Sequence, residues 1–280
     1  MLAQMKQTAR ANNWLSWLTG PILDTSGFVF AKGDHVVGNL SLRYAWPGGS
    51  QGRLIGNVVV HPDHRRQGIA RAMMDMAITT AREQDARWIG LEVREDNEAA
   101  RALYEQLGFV EVGRVQHLLR PEGIPWPSFE AGPHLSWSSC VPSDAYKWVE
   151  LACKIYDRRQ SQVLEIRPSA FAFGGLGQYF SRWFGGQLEW AWLHGNSTAH
   201  IALRIKIERR YHFHLWDMLL HPDDGATEAR ASVNKALRTV QRFPSWPVVA
   251  MVADQPVLLD ALYAIGFECR RTQIQMVFDL

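Results

Sequence analysis

Cysteine is scarce in this sequence: Cys140, Cys153 and Cys269 are the three in 280 residues, with no Cys-x-x-Cys pair among them. An odd number without close spacing excludes a disulfide framework and a Cys-based zinc knuckle, and it suits a reducing compartment. Long hydrophobic runs are missing as well. No stretch of roughly 18 apolar residues occurs, and the opening MLAQMKQTARANNWLSWLTGP has no apolar signal core, so neither a membrane span nor a secretory leader is expected. Charge of one sign is also lacking. Thirty Lys and Arg stand against 28 Asp and Glu, a net charge of +2 that offers no reason to expect a nucleic-acid or membrane-surface partner. The expectation is a cytoplasmic protein with no metal, monomeric or homodimeric.

What is present fits a globular chain: 47% hydrophobic and 21% charged residues over 280 positions, about two average domains with room for a real core. Twelve tryptophans are scattered along it and read as packing. The strongest punctuation is RPEGIPWPSFEAGPHLSW at 120–137, whose prolines remove backbone donors and disfavour helix. It divides the chain into an N-terminal domain 1–120, a linker 121–134 and a C-terminal domain 135–280.

The halves repeat one order of elements. In the first, GFVFAKGD, VVGNLSLRYA and GRLIGNVVV read as strands. A helix from about Gly68 to Arg82 carries Ile69, Met73, Met76, Ala77 and Thr80 on one stripe. The strand WIGLEV follows. A helix opening at Asn97 then places Ala100, Leu103, Tyr104 and Leu107 on one face and stops at Gly108. In the second half, the helix SDAYKWVELACKIYDRRQ precedes the strands QLEWAWLHG, AHIALRIKI and YHFHLWDMLL. A helix from about Thr227, the strand VVAMVAD, the helix LLDALYAIG and the strand TQIQMVF follow. His61-Pro62-Asp63 recurs as His221-Pro222-Asp223, and the Tyr104…Gly108-Phe109 ending recurs as Tyr263…Gly266-Phe267. A period of about 160 residues is a duplicated domain and too long for a solenoid. Each half is expected to be α+β, with a mostly antiparallel sheet.

The stretch HPDHRRQGIARAMM, 61–74, starts a helix at a bare glycine flanked by cations. An uncapped helix N-terminus with its positive dipole end is an anion site; a solvated basic turn is the plain alternative. Arg65-x-x-Gly68-x-Ala70 sits between a strand and a helix, and LEVREDNEAARALYEQLGF follows at 91–109. With these residues the first half resembles a GNAT-fold N-acetyltransferase, and the 91–109 stretch is similar to that of the enzymes that acetylate ribosomal-protein α-amines. The whole chain resembles a tandem GNAT. The likeness covers about residues 54–115.

The resemblance implies two tandem acyl-CoA N-acyltransferase domains, each a mostly antiparallel twisted sheet flanked by helices, and acetyl-CoA as co-substrate without a metal. Amides of Arg66, Gln67, Gly68, Ile69, Ala70 and Arg71 would cradle the pyrophosphate. Gly68 and Ala70 would give it room, and Arg65, Arg66 or Arg71 would meet its outer oxygens. Main-chain groups of Val58 and Val60 would hold the pantetheine, which is compatible with their being ordinary strand valines. Tyr104 matches the family's acid for the departing thiolate, although a tyrosine on an apolar stripe is also a core residue. Glu92, flanked by Leu91 and Val93, points to the opposite strand face from both. It matches the general base and is expected to line a cleft, partly buried; a solvent-facing glutamate is the alternative. Asn97 matches a cofactor-contacting asparagine and is equally a helix cap.

The second copy keeps packing and loses chemistry. Glu228 and Arg230 stand where Gly68 and Ala70 stand in the first, Met251 replaces Glu92, and Pro256 replaces Asn97. Asp224 and Glu228 put negative charge where the pyrophosphate would sit, and Tyr263 reads as core. The C-terminal half is therefore expected to bind no acyl-CoA, leaving scaffolding or substrate binding. In LRIKIERRYHFH, 203–214, a cationic face of Arg204, Lys206, Arg209, His212 and His214 reads as solvated, with a site for an acidic substrate as the alternative. The first clear strand begins only at Gly27, so the opening strand is expected to be missing or supplied from elsewhere in the chain. The expected function is transfer of an acetyl group to a primary amine of a small molecule or peptide. A non-catalytic acyl-CoA-binding sensor or interaction protein is the alternative.

Overall fold

A computed structural model describes residues 4–8, 25–45, 51–127, 135–171, 187–195 and 199–280. The second half of the expected linker, 128–134, lies outside the described residues. The chain divides into two compact units. Unit 1 comprises Met1–Val112, Gln162–Glu165 and Ile274–Leu280; unit 2 comprises Gly113–Ser161 and Ile166–Gln273. The units therefore depart from a simple cut at the linker, because short pieces of the later chain belong with the earlier.

The first half forms strands β1 (Gln4–Thr8), β2 (Thr25–Lys32), β3 (His35–Ala45), β4 (Gly52–Val60) and β5 (Trp88–Arg94), with helices α1 (Ile69–Glu83) and α2 (Glu98–Gln106). Strand β6 (Val110–Arg120) follows, then β7 (Ser138–Ser139), α3 (Ala145–Ile155) and α4 (Arg158–Val163). Strands β8 (Gln187–His194), β9 (Ile201–Glu208) and β10 (Phe213–Leu220) precede α5 (Ala226–Val240), β11 (Val248–Ala253), α6 (Pro256–Tyr263) and β12 (Glu268–Asp279). Among the described residues no helix is long and apolar enough to cross a membrane.

In unit 1 the strand order is β1-β2-β3-β4-β5-β12. The pairs from β1 to β4 are antiparallel, and β4–β5 is parallel. The opening strand is thus present, as β1 on β2, which corrects the expectation that it is missing. What comes from elsewhere is the strand beside β5. Ile274 and Met276 of β12 are buried in the same core as Phe28, Leu40, Met73 and Leu91. Helix α1 buries Ile69, Met73, Ala77 and Thr80 as its stripe predicts, but Met74 and Ile78 join them while Met76 is exposed. The buried arc is wider than one row of side chains, as a sheet-covering helix requires.

A bulge interrupts β4 where it pairs with β3. Asn39 pairs with Val59 and Ser41 with Gly56, so Leu40 faces both Asn57 and Val58. Asn57 takes up the extra residue in the left-handed region, φ 52°. Pairing of β4 with β5 covers only Gly52–Ile55 against Trp88–Leu91. Beyond it, the edge of β4 from Gly56 to Val60 is left open by β5.

In unit 2 the order is β12-β6-β11-β10-β9-β8-β7, with β10–β11 parallel and β6–β11, β9–β10, β8–β9 and β7–β8 antiparallel. Its core gathers Ile205, Trp216, Val233, Leu237 and Leu262. The 203–214 stretch is not one solvated face: β9 ends at Glu208 and a turn through His212 leads into β10. Arg204 is buried and ion-paired to Asp217 at 2.7 Å. His214 is also buried, and burial pushes its imidazole down to about 4, against a smaller opposing effect of the Pro244 carbonyl.

Candidate active site

The open edge of β4 leads into the loop before α1. A 3-10 turn over Pro62–His64 is followed by Arg66 at φ 56° and Gly68 at φ 78°. Two left-handed residues so close together turn the backbone sharply into the helix. At Gly68 a side chain would be strained by that φ, although an added Cβ would meet no atom within 4 Å. Ile69 is buried in the core and pins the first turn. The first intrahelical bond runs from the Ala72 amide to the Gly68 carbonyl, no side chain caps the helix, and no acidic residue lies in its first turn. The N–H groups of Ile69, Ala70 and Arg71 are therefore the helix's orphan donors.

Cations surround them. Arg65, Arg66 and Arg71 are exposed. Arg65 Nε donates to the Val60 carbonyl at 3.2 Å, and Arg71 Nη1 to Gln106 Oε1 at 3.4 Å. Gln67 donates to the Asp63 carbonyl at 3.2 Å and accepts from Lys32 Nζ at 2.5 Å. Lys32 is a participant that no local sequence signal marks, because it arrives from β2. It also lines a cavity of about 390 Å³ with His35, Val36, Val37, His61 and His64. Val58 and Val60 pack their side chains against the core, and their main chain lies on the open edge.

On the face of the sheet opposite α1, Glu92 stands on β5 between the buried Leu91 and Val93. Its side chain is exposed rather than partly buried, which corrects the expectation. The carboxylate is nonetheless held, for Gln275 Nε2 donates to Glu92 Oε1 at 2.9 Å. Ser41 lies opposite Gly56, and a Cβ on Gly56 would sit 3.2 Å from Ser41 Oγ. The glycine thus leaves that face uncovered one position beyond the last β4–β5 pair, Ile55 with Leu91, which is the level of Glu92.

Tyr104 is buried on α2, with its ring 6.1 Å from that of Phe109. Burial pushes its phenol up to about 12. Among the described residues no group hydrogen-bonds its hydroxyl, which is not sealed from solvent. A neutral, accessible O–H on a rigid helix is a proton donor. Asn97 caps that helix, its side chain accepting from the Ala100 amide at 3.3 Å. At the far end, Gly108 at φ 93° closes it, and the Phe109 amide bonds back to the Tyr104 carbonyl at 3.0 Å.

The corresponding place in unit 2 is filled by its own side chains. Glu228 Oε2 accepts from the Gly225 amide at 3.0 Å, so a carboxylate closes the start of α5. Asp224 lies 3.3 Å from His200 Nδ1. Pairing of β10 with β11 ends at Trp216 and Ala250. The Leu220 amide donates instead to Gln255 Oε1 at 2.8 Å, and Gln255 Nε2 donates to the Tyr156 hydroxyl at 3.1 Å, both side chains being buried. Met251 is 56% exposed. Tyr263 is 38% exposed and donates to Gln116 Oε1, so it is not the core residue expected.

A splayed parallel strand pair leading into a helix occurs twice in the chain, and the helix start is left uncapped in the first copy and closed by Glu228 in the second. The comparisons agree. The model of the acetyltransferase (GNAT) family matches residues 5–109. The [ribosomal protein bS18]-alanine N-acetyltransferase of Escherichia coli (strain K12) is 46% identical over 55 residues, 20% of this chain and 37% of that enzyme. A mycothiol acetyltransferase of Geodermatophilus obscurus is 36% identical over 93 residues, 32% of this chain and 30% of that protein. The chain thus spans well under half the length of the curated relatives it matches.

Among solved structures, a tandem GNAT protein from the clavulanic acid biosynthesis pathway superposes with a TM-score of 0.57 at 17% identity, covering 99% of this chain and 98% of that one. A GCN5-related N-acetyltransferase from Sphaerobacter thermophilus gives 0.64 at 14% identity, covering 97% and 86%. At such identity the likeness speaks for fold alone. The chain has the α+β fold of a tandem GNAT protein, and residues 5–109 are a domain of the acetyltransferase (GNAT) family.

Proposed function

We propose that the chain is an acetyl-CoA-dependent N-acetyltransferase whose chemistry lies in the N-terminal domain, residues 1–120, completed by the last residues of the chain. The observation that carries this reading is the uncapped, cation-flanked start of α1 at the end of an open β4 edge. Amides of Arg66, Gln67, Gly68, Ile69, Ala70 and Arg71 offer donors of the number and sign a pyrophosphate needs, with Arg65, Arg66 and Arg71 as charge partners. Val58 and Val60 offer main-chain groups along the edge, and Asn97, beyond capping α2, presents its amide nearby in sequence to Glu92. Acetyl-CoA, when bound, supplies the thioester. Glu92 takes the ammonium proton of the acceptor through a water, and Tyr104 gives its proton to the departing sulfur. The amine attacks directly, in a ternary complex.

The C-terminal domain, 135–280, carries no second acyl-CoA site on this reading, since Glu228 and Gln255 occupy the donors that such a ligand would use. The acceptor is a primary amine on a small molecule or peptide. A free-thiol release assay with acetyl-CoA and a broad amine panel tests the reading. Amine-dependent release of one thiol per amine acetylated is expected, with a binding titration giving one acetyl-CoA site per chain. Tight binding without turnover on any amine would instead make the protein an acyl-CoA sensor.

A further inference from the structure

We propose that Gln275 is the positioning residue of the transfer site, a buried amide that holds the Glu92 carboxylate in the orientation proton abstraction requires. The proposal rests on the reading of Glu92 as the base. An exposed glutamate on a strand samples several rotamers, and a base must be held at one. Gln275 supplies the constraint. It is 0% exposed, and its Nε2 donates to Glu92 Oε1 at 2.9 Å. A long polar side chain is seldom buried so completely without a fixed partner.

Its own position is set by the strand. Ile274 and Met276, on either side, are 0% and 1% exposed in the core of unit 1, so the backbone between them has little freedom to shift. Alternation then places Gln275 on the opposite face, where Glu92 stands. Bonding of one carboxylate oxygen leaves Oε2 to meet the acceptor or its water. The donor's chemistry suits a base. A neutral amide orients the carboxylate, whereas a lysine or arginine there would stabilise the anion so strongly that it would accept a proton poorly. Base and support lie 183 positions apart in the chain, which is why no motif around Glu92 points to this residue.

The test uses the full chain with acetyl-CoA and an acceptor amine from the panel. Gln275→Met keeps the length and removes the donor. It should lower kcat about tenfold while leaving the acetyl-CoA Kd and the KM for the amine unchanged. In a Glu92→Gln background the same change should cost nothing further. An equal loss in both backgrounds, or a loss carried by KM rather than kcat, would overturn the proposal while leaving Glu92 as base. Full activity of Glu92→Gln alone would overturn the reading of the base and the proposal with it. Should Gln275→Met fail to fold, the side-chain amide resonance of Gln275 decides: it should shift between the parent chain and Glu92→Gln, and an unmoved resonance counts against the bond.

Discussion

Tyr104 joins a packed ring to an unbonded hydroxyl in one residue, and on the proposed reading it serves packing and chemistry together. Its ring belongs to the core and its hydroxyl does not, so burial holds the phenol neutral up to about 12 without sealing it off. Tyr104→Phe should keep the core and the acetyl-CoA Kd while lowering kcat about 100-fold; steady-state kinetics with a binding titration check both. The sign of the pH effect follows from the shift. Unfolded chain loses the phenol proton near 10 and folded protein only near 12, so the stability tied to this group is full below pH 10 and is lost as pH rises through 12. Urea melts between pH 9 and 12 should show a smaller loss in Tyr104→Phe than in the parent, the remainder belonging to the buried phenol of Tyr156, which is raised in the same way. Residue types and the Tyr–Glu spacing of this site were legible in the sequence. Lys32 and Gln275 were not, because their partners are set by strand pairing across long stretches of chain.

Two helix starts carry the contrast at the scale of elements. Helix α1 begins with a left-handed glycine and open amides, whereas α5 begins with a carboxylate on its own N-terminal amide. Gly68→Leu should weaken acetyl-CoA binding at least 100-fold, measured by calorimetry. Its folding cost should stay near the roughly 1–2 kcal/mol of a left-handed non-glycine residue, because an added Cβ meets no protein atom. Normal affinity would remove the loop from the cofactor site. Glu228→Ala should destabilise unit 2 by about 1 kcal/mol as a lost cap and create no acetyl-CoA site, since Gln255 still holds the Leu220 amide. Chemical denaturation and a binding titration of the same variant read the two effects separately. The sequence predicted both starts from glycine against glutamate. The Gln255–Tyr156 plug escaped it, because the two residues lie 99 positions apart in the chain.

At the scale of the whole molecule, the chain's end belongs to the unit that its beginning builds. Ile274, Met276 and Val277 are almost fully buried among residues of the first 112 positions. A chain ending at Gln273 should therefore lose acetyl-CoA binding and the near-ultraviolet signal of Trp88, although every motif residue of the site is still present. A truncated chain that binds acetyl-CoA normally would show that β12 is dispensable to unit 1.

The sequence by itself determined the duplicated order of elements, the helix stripes and the contrast between a glycine helix start in the first copy and a glutamate in the second. These are local matters of periodicity, capping and charge, written within a few turns of chain. Only the tertiary structure decided which strand stands beside β5, that Glu92 is exposed yet tethered, and that Tyr263 faces out. Sheet neighbours are chosen by edge pairing and by burial of alternating side chains, and a strand carries no mark of the partner it will take.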